Sequence, residues 1–525
     1  MQKRFNVTGT CFPEQHYMAD ISAKFQATLQ LVENGEYFAI NRPRQFGKTT
    51  LLEVLARYLN ESGEWLVFNT SFEGIGSEPF ESPNQFCGSF LRLLARTISM
   101  AELPEIEKIL KDASMQDSSM EELSETITRL VNSTDKKLVL LIDEVDKSSN
   151  NQIFLDFLGM LRNKYLNRHK RFEATFHSVV LAGLHDIKTL KLKIRSDEES
   201  KYNSPWNIAA DFDVDMSLHP HEIVPMLEDY AGERGVKMDT SAIAEALFYY
   251  TSGYPFLVSA LCKLMDEKLM PLKEEKTWTV QDIETAADRL IKSERSNTNF
   301  DTLVKNLEND QALYDLTYRL VIEGETIPYS VHAPIVYKGV QHGILKNGHG
   351  IQVHNRIFNE VIANYMTVKL LSEGRTLTIE TTDPYLLPGN ALNVEKVLTK
   401  FQVLMREEYS KNDAEFLERN GRLIFLAFLK PIINAKGYTF KEPEISEERR
   451  MDIAITFFQH KYVVELKIWR GEEAHQRGLA QLANYLERQH LDEGFLVIFD
   501  RSGKKTWEKG WLDLPGGKRA FAVWV

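Results

Sequence analysis

The stretch INRPRQFGKTTLLEVL, residues 40–55, decides how the N-terminal half of the chain is interpreted. It joins a short apolar run to a helical pattern, and Gly-Lys-Thr at residues 47–49 stands at the junction. This order is typical of a phosphate-binding loop, G-x-x-x-x-G-K-[ST], in which backbone N–H groups and a helix N-terminus face an anion. The first glycine of that pattern is absent, because Arg42 and then Pro43 occupy the entrance.

An apolar run with an acidic end follows about 95 residues later, in LVLLIDEVDK at residues 138–147. Five consecutive apolar residues are typical of a parallel strand buried on both faces. We expect Asp143 to hold Mg²⁺ through water and Glu144 to polarise the attacking water. The two motifs together predict a nucleotide site. The alternatives are a purely structural loop and a loop that binds nucleotide but hydrolyses it slowly.

ATP with Mg²⁺ is the ligand that this loop predicts. Gly47 allows a close backbone approach to the phosphates, Lys48 reaches the β and γ oxygens, and Thr49 helps Asp143 to hold Mg²⁺. Pro43 fixes its own φ and pushes Arg42 toward an extended backbone, so the loop should leave its strand stiffly. Whether Arg42 or Arg44 adds charge to the site stays open. The candidate nucleotide contacts are Arg44, Gln45, Phe46, Gly47, Lys48, Thr49, Thr50 and Asp143.

Composition is that of a globular protein, with 43% hydrophobic and 26% charged residues in a chain of 525. This length suggests about three domains. No run of 18 apolar residues occurs, so we expect no membrane span, and the N-terminus lacks an apolar signal core, so we expect a cytoplasmic protein. The net charge of −12 argues against a generally basic coat but allows a local basic groove. The oligomeric state stays open, a homo-oligomer included.

Alternation of apolar strands with amphipathic helices predicts a doubly wound α/β fold for the N-terminal region. A mostly helical region follows, then two helices with a short β-like piece, HGILKNGHGIQVHN, that fit a small winged helix. A second α/β pattern of a different type ends the chain. The predicted divisions are an ATPase core at 1–215, a helical lid at 216–300, a winged-helix-like segment at 301–370, a connection at 371–398 and a C-terminal domain at 399–525.

Several blocks of the first 290 residues resemble the AAA-ATPase-like proteins of bacteria. These blocks are YFAINRPRQFGKTTLLEVLARYL, LVLLIDEVDK, SVVLAGLHDIKTLKLKIR, SPWNIA and TSGYPFLVS. The resemblance implies that Arg42 and Pro43 are family features, and that His185 stands where related ATPases place a polar sensor residue. A satisfied loop histidine is the alternative. Tyr254 and Pro255 lie either near the adenine or in ordinary packing at a helix start.

The segment RRMDIAITFFQHKYVVELKIW, residues 449–469, predicts a β-hairpin with a turn at residues 459–461. Strand alternation places Glu465 and Lys467 on one face, and the predicted register places Asp452 opposite about position 468, one diagonal step away. Charged groups in an apolar hairpin are costly unless they bind something. Asp452 and Glu465 are therefore candidate Mg²⁺ ligands, and Lys467 is a candidate for positioning or deprotonating a water.

The spacing D-x12-E-x-K after a helix resembles the PD-(D/E)XK nuclease superfamily, over about residues 400–525. The superfamily proline is Met451 here. The resemblance implies a further glutamate on the preceding helix, for which Glu418 is slightly preferred to Glu415. It also assigns Gln481 and Tyr485, an i and i+4 pair, to the Q-x-x-x-Y motif of the exonuclease branch. An ordinary surface hairpin with a Glu–Lys pair is the alternative.

The complete fold prediction is a P-loop NTPase domain with a helical lid and winged-helix-like segment, plus a C-terminal α/β restriction-endonuclease-like domain. The corresponding function is an ATPase coupled to metal-dependent cleavage of nucleic acid, DNA rather than RNA, in defence against foreign DNA. One alternative is a nucleotide-dependent switch or scaffold whose C-terminal domain binds nucleic acid without cutting it. Another is a nuclease that needs no nucleotide, with a structural loop.

Overall fold

The structure is a computed structural model, and every structural statement here concerns the residues that it describes. For residues 147–148, 370–372, 407–408, 437–440, 451–452 and 473–474 it describes the backbone alone. The described residues are 2–76, 78–98, 103–115, 118–148, 151–170, 173–184, 206, 208–292, 297–322, 325, 327–348, 350–372, 385–408, 424–426, 428–429, 432–433, 437–440, 451–458, 460–469, 471–500 and 507–525.

Two compact units make up the chain, and the first comprises Met1–Ala286 with Gln341–Gly343. Its sheet has four parallel strands: β1 (Tyr37–Asn41), β2 (Trp65–Ser71), β3 (Lys137–Asp143) and β4 (Ser178–Gly183), in the spatial order β1-β4-β3-β2. The predicted α/β fold with a parallel sheet is confirmed. The sequence pattern did not predict β2, because a short apolar run fits a buried helix as well as a strand.

Helices connect and cover these strands. Those up to residue 291 are α1 (Ser22–Glu33), α2 (Lys48–Glu61), α3 (Pro83–Ile98), α4 (Pro104–Ser114), α5 (Met120–Asn132), α6 (Gln152–Asn167), α7 (Pro220–Arg234), α8 (Thr240–Thr251), α9 (Pro255–Leu264) and α10 (Val280–Ile291). Every β3 residue after Lys137 is buried, as expected for a central parallel strand. Phenylalanines of α3 and α6 pack over the sheet, with the rings of Phe90 and Phe157 4.8 Å apart. This packing fixes the strand ends that carry the motifs.

The second unit comprises Ala287–Val340 and Ile344–Val525. Its first part, predicted to be winged-helix-like, has three helices followed by a two-stranded hairpin and a further helix. The elements are α11 (Thr298–Glu308), α12 (Gln311–Val321), α13 (Pro334–Gln341), β5 (Leu345–Gly348), β6 (Gly350–Val353) and α14 (Arg356–Ser372).

The C-terminal part of the second unit is a mixed six-stranded sheet in the order β13-β14-β12-β11-β10-β9. Strands β11, β12 and β14 run parallel, whereas the β9–β10, β10–β11 and β13–β14 pairs are antiparallel. The elements are β7 (Leu386–Leu387), β8 (Ala391–Leu392), α15 (Val394–Glu408), β9 (Gly437–Phe440), β10 (Met451–Phe457), β11 (His460–Ile468), α16 (Glu472–Arg488), β12 (Glu493–Phe499), β13 (Lys509–Asp513) and β14 (Arg519–Trp524).

This mixed sheet has an apolar core on each face. One core joins α15 to β10 and β11, through Phe401, Ile453 and Val464, and also includes Tyr385 and Leu392 from the predicted connection. The other packs α16 on the sheet. Glu465 and Lys467 therefore belong to the face that α16 covers, since they alternate with Val464 and Leu466 along β11.

No helix in the described part of the chain is both long and apolar enough to span a bilayer.

Candidate functional site

The phosphate loop runs from the end of β1 to the first turn of α2. Gly47 caps the helix with a φ of 82°, a left-handed conformation that glycine adopts without strain. Lys48 is 7% exposed, and its ammonium donates to the carbonyls of Arg42 and Pro43, each at 2.9 Å. The Lys48 ammonium is therefore bonded to the carbonyls at the entrance of its own loop.

Thr49 and Asp143 meet, as the two sequence motifs predict. The Thr49 hydroxyl donates to the Asp143 carboxylate at 2.5 Å, and that carboxylate is 5% exposed. A hydroxyl and a carboxylate are hard oxygen donors of the kind that Mg²⁺ prefers. The donor set at this point therefore fits the predicted metal.

Glu144 follows Asp143 in a left-handed backbone conformation, with a φ of 55°. Its backbone N–H donates to Asp143 Oδ1 at 2.9 Å, which holds the Asp143 carboxylate against the Glu144 backbone. Burial and then the Asp143 charge raise the pKa of Glu144, while Lys48 opposes that shift. Burial conversely lowers the pKa of Lys48, against the nearby Asp143 and Glu144 charges.

Asp146 has a positioning role that its sequence position does not reveal. Its carboxylate accepts the N–H of Leu184 at 2.5 Å, just beyond β4. A Cβ at Gly183 would lie 2.8 Å from Asp146 Oδ1, so only glycine fits there without a shift. This contact holds the end of β4, which lies between β1 and β3. The predicted sensor residue His185 lies outside the described residues.

The question about Arg42 has a structural answer. Its guanidinium donates to the carbonyls of Phe212 at 3.1 Å and Val214 at 2.8 Å, and its carbon lies 5.4 Å from the Phe212 ring centroid. Arg42 therefore holds a neighbouring segment. Arg44 is exposed, and its charge lowers the pKa of both Lys48 and Glu144, which places a cation near the predicted phosphate site.

Tyr254 contacts the phosphate loop directly. Its hydroxyl donates to the Arg44 carbonyl at 2.7 Å, and its ring meets Phe46 edge-on at 4.8 Å. Gly343, which belongs to the same unit, also approaches closely: a Cβ there would lie 2.8 Å from the Pro43 Cβ. Tyr254 is 2% exposed, so the structure favours the packing role that the sequence left open.

The remaining loop candidates are placed as follows. Gln45 is exposed with a φ of 58°, so it forms the tip of the loop. The Thr50 hydroxyl accepts the N–H of Cys11 at 3.1 Å, which ties the N-terminal segment to the start of α2. Sequence spacing cannot reveal this contact, since 39 residues separate the partners.

The C-terminal hairpin differs from its predicted register. His460 and Lys461 belong to β11, so the turn is two residues, and Phe458 within it has a φ of 50°. The predicted partner of Asp452, position 468, is wrong: Asp452 pairs directly with Glu465. The shorter turn brings the two positions closer than predicted, because directly opposed residues share a face. The Asp452 side chain lies outside the described part.

Glu465 and Lys467 form an ion pair beneath α16. Their charged atoms are 3.0 Å apart, and Glu465 is 3% exposed. A Cβ at Gly478 would lie 1.4 Å from Lys467 Nζ, so the glycine provides the space that the ammonium occupies. Sequence analysis missed Gly478, since nothing in the local pattern shows which strand residue a helical glycine faces.

Gln481 and Tyr485 lie on α16, as predicted. Tyr485 is buried in the apolar core between α16 and the sheet, with Val463 and Leu482. Gln481 is half-buried on the same helix. Glu418 lies outside the described residues. Within the described side chains, no three histidine, cysteine, aspartate or glutamate side chains gather into a metal cluster.

Comparisons with known proteins concern mainly the N-terminal site. No curated protein matches the chain. Solved structures that match this chain include the Walker-type ATPase PABY2304 of Pyrococcus abyssi, with 14% identity, a TM-score of 0.42, and coverage of 68% of this chain and 99% of that one. The ORC2 protein of Aeropyrum pernix, in ADPNP–ADP complexes, has 12% identity, a TM-score of 0.41, and coverage of 70% and 99%.

The RuvB Holliday junction branch migration motor of Thermotoga maritima has 15% identity, a TM-score of 0.33, and coverage of 66% of this chain and 95% of that one. The family described as AAA-like domain matches residues 12–347, which is more than half of the chain and includes the phosphate loop and the Asp143 strand. The chain therefore belongs to the AAA-like domain family.

Proposed function

We propose that the chain binds ATP with Mg²⁺ at the phosphate loop and hydrolyses it. The observation that carries this proposal is the Thr49–Asp143 hydrogen bond, which brings the start of α2 and the end of β3 to one point, with Glu144 beside it. Thr49 of the phosphate loop and Asp143 of the acidic strand end are 94 positions apart in the sequence, yet they meet there. Phosphoryl transfer needs both motifs in one site.

Each residue then has a defined task. Lys48 exchanges its carbonyl partners for phosphate oxygens, and Gly47 lets the backbone N–H groups approach them. Thr49 and Asp143 would hold Mg²⁺. The bound ion would neutralise part of the phosphate charge. Glu144 orients the attacking water and accepts its proton.

Phosphate release from ATP tests this proposal. We expect Lys48→Ala to lower turnover about 100-fold or more, since it removes a cation that stabilises the transferring phosphate. Glu144→Gln should retain ATP binding and lose hydrolysis. Lys263→Ala, at an exposed lysine on α9, is the control and should behave as wild type. Turnover that survives Lys48→Ala would contradict the proposal.

For the C-terminal domain we propose metal-dependent cleavage of nucleic acid, DNA rather than RNA, that is coupled to ATP at the phosphate loop, with defence against foreign DNA as its role. The Glu465–Lys467 pair supports this, because Glu465 is 3% exposed and burying a carboxylate in an apolar sheet is costly unless the group binds something. Asp452 and Glu465 would hold Mg²⁺. Lys467 would position the attacking water and stabilise developing phosphate charge.

The test is cleavage of single- and double-stranded DNA and RNA with Mg²⁺ or Mn²⁺, in wild type and Glu465→Ala. We expect cleavage by wild type that is lost in Glu465→Ala. If neither protein cleaves any substrate but both bind nucleic acid and turn over ATP, the chain is instead a nucleotide-dependent switch whose C-terminal domain only binds. Cleavage by Glu465→Ala at the wild-type rate would contradict the assigned site.

A further inference from the structure

The entrance of the phosphate loop is tied to the segment at residues 212–218. Arg42 donates through one guanidinium nitrogen to the carbonyls of both Phe212 and Val214, and stacks on the Phe212 ring. Met216 lies next to Gly47, with its methyl 3.9 Å from where a Cβ would be. The 212–218 segment thus lies against the loop at both Arg42 and Gly47.

The same segment continues to the start of α9. The Leu218 N–H donates to the Gly253 carbonyl at 2.8 Å. The approach is so close that a Cβ at Gly253 would lie 2.5 Å from the Leu218 oxygen. The next residue, Tyr254, then returns to the loop through its bond to the Arg44 carbonyl. Residues 42 and 44 are therefore both held by one continuous path of contacts.

Lys48 connects this path to the predicted ligand. Its ammonium donates to the carbonyls of Arg42, which contacts the 212–218 segment, and of Pro43, which lies between Arg42 and Arg44. A phosphate oxygen competes with these neutral carbonyls for the ammonium, because a charged acceptor makes the stronger hydrogen bond. Nucleotide binding therefore changes the bonding of the residues that Arg42 and Tyr254 hold in place.

We propose that Arg42 and Tyr254 are positioning residues that form a loop clasp, defined as the bonds of Arg42 to residues 212 and 214 and of Tyr254 to residue 44. The clasp determines how slowly nucleotide dissociates from the loop. Bound nucleotide in turn changes the strain on the helices that follow residue 216. Such coupling is reciprocal by thermodynamic linkage. The inference rests on the proposed ATP site and adds its regulation.

Stopped-flow dissociation of a fluorescent ATP analogue, with Mg²⁺ in the full-length protein, tests the clasp. Tyr254→Phe removes only the hydroxyl and keeps the ring on Phe46, and should speed dissociation about threefold to tenfold. Arg42→Lys keeps the charge but loses the planar fork, and should speed it about tenfold or more. In both variants we expect KM to rise in proportion, with kcat within about twofold of wild type.

Two variants on α2 serve as matched controls, and both should match wild type. Arg57→Lys changes an exposed arginine paired with Glu53, and Tyr58→Phe changes an exposed tyrosine whose ring meets Phe25. A fall in kcat and melting temperature without a change in dissociation would show a merely structural role and overturn the clasp.

The outcomes separate the two proposals. Wild-type dissociation rates in both variants, in a protein that binds and hydrolyses ATP, would overturn the clasp alone. A wild-type dissociation rate in Arg42→Lys, with faster dissociation in Tyr254→Phe alone, would show that the arginine contributes only its charge, which also overturns the clasp. A wild-type protein that binds no ATP would overturn the proposed function and the clasp together.

Discussion

The two lysine–carboxylate sites of this chain differ in what holds the lysine. Lys48 donates to two backbone carbonyls within a loop, and the Asp143 carboxylate accepts from Thr49. Lys467 pairs directly with Glu465 on one strand in the middle of a sheet. The lysine of the first site is therefore bonded to neutral carbonyls, whereas the lysine of the second is paired with a carboxylate.

This difference indicates which contacts each site depends on. The loop site depends on contacts made from outside the loop, at Arg42 and Tyr254, and its lysine must change partners. The strand site depends on a rigid backbone and on the space that Gly478 leaves. We therefore expect substitutions around the loop to act through distant backbone contacts, and substitutions on the strand to act through the pair itself.

Gly253→Ala should have the largest effect on stability. Both Gly253 and Gly235 have left-handed backbones, with φ of 72° and 64°, but only Gly253 meets another backbone, at 2.5 Å. We expect Gly235→Ala to cost about 1 kcal/mol and Gly253→Ala about 3 kcal/mol or more. Thermal unfolding of the two variants measures the difference. Equal costs would mean that the Leu218 contact contributes nothing.

Lys467→Met should destabilise the second unit, since it leaves the buried Glu465 carboxylate without that partner. We expect a loss of about 2 kcal/mol, reduced to less than about 1 kcal/mol when Glu465→Gln is added. Urea unfolding of the single and double variants gives the coupling. Additive losses would show that the two groups do not interact and would remove the contrast with the loop site.

Gly478→Ala and Gly159→Ala compare two glycines that both lie within helices. Gly159, within α6, has open space where a Cβ would go, so Gly159→Ala should stabilise the protein by about 0.5–1 kcal/mol. Gly478→Ala should instead cost about 1 kcal/mol, because the new methyl displaces Lys467 Nζ from Glu465. Calorimetry of both variants checks the opposite signs. Stabilisation by Gly478→Ala would contradict the described position of Lys467.

The smallest effect should come from a histidine that belongs to neither site. Burial lowers the pKa of His177, whose Nε2 lies 3.0 Å from the Glu33 carbonyl. The unfolded chain therefore binds a proton at a higher pH than the native protein does, so the free energy of unfolding falls as pH drops below about 6.5.

The slope from one such group is at most about 1.4 kcal/mol per pH unit. His177→Gln should flatten the pH dependence of the denaturation midpoint over that range, with little change above pH 7. If the pH dependence keeps its slope in His177→Gln, groups other than His177 cause it.

Local motifs made much of the N-terminal site predictable. A glycine–lysine–threonine after β1 and an acidic pair at the end of β3 lie where parallel strands place them, because the carboxyl ends of parallel strands share one edge of the sheet. The position of Arg42 was not predictable, since its partners are 170 and 172 residues away. Asp146 and Tyr254 also act through non-local contacts, to residues 38 and 210 positions away.

The C-terminal site was predictable in composition but not in register. Alternation placed Glu465 and Lys467 on one face, and the structure has them paired there. The register was wrong because the turn has two residues, and turn length fixes which residues are opposed. Gly478 was missed because the packing of α16 on β11 is a tertiary contact without a local pattern.

The proposed coupling, in which the loop site governs the strand site, is tested most directly by Mg²⁺-dependent DNA cleavage with and without ATP. We predict that wild type cleaves only with ATP, that Lys48→Ala fails with or without ATP, and that Glu465→Ala fails while still hydrolysing ATP. Cleavage by Lys48→Ala at the wild-type rate, in an assay where Glu465→Ala is inactive, would contradict the claim.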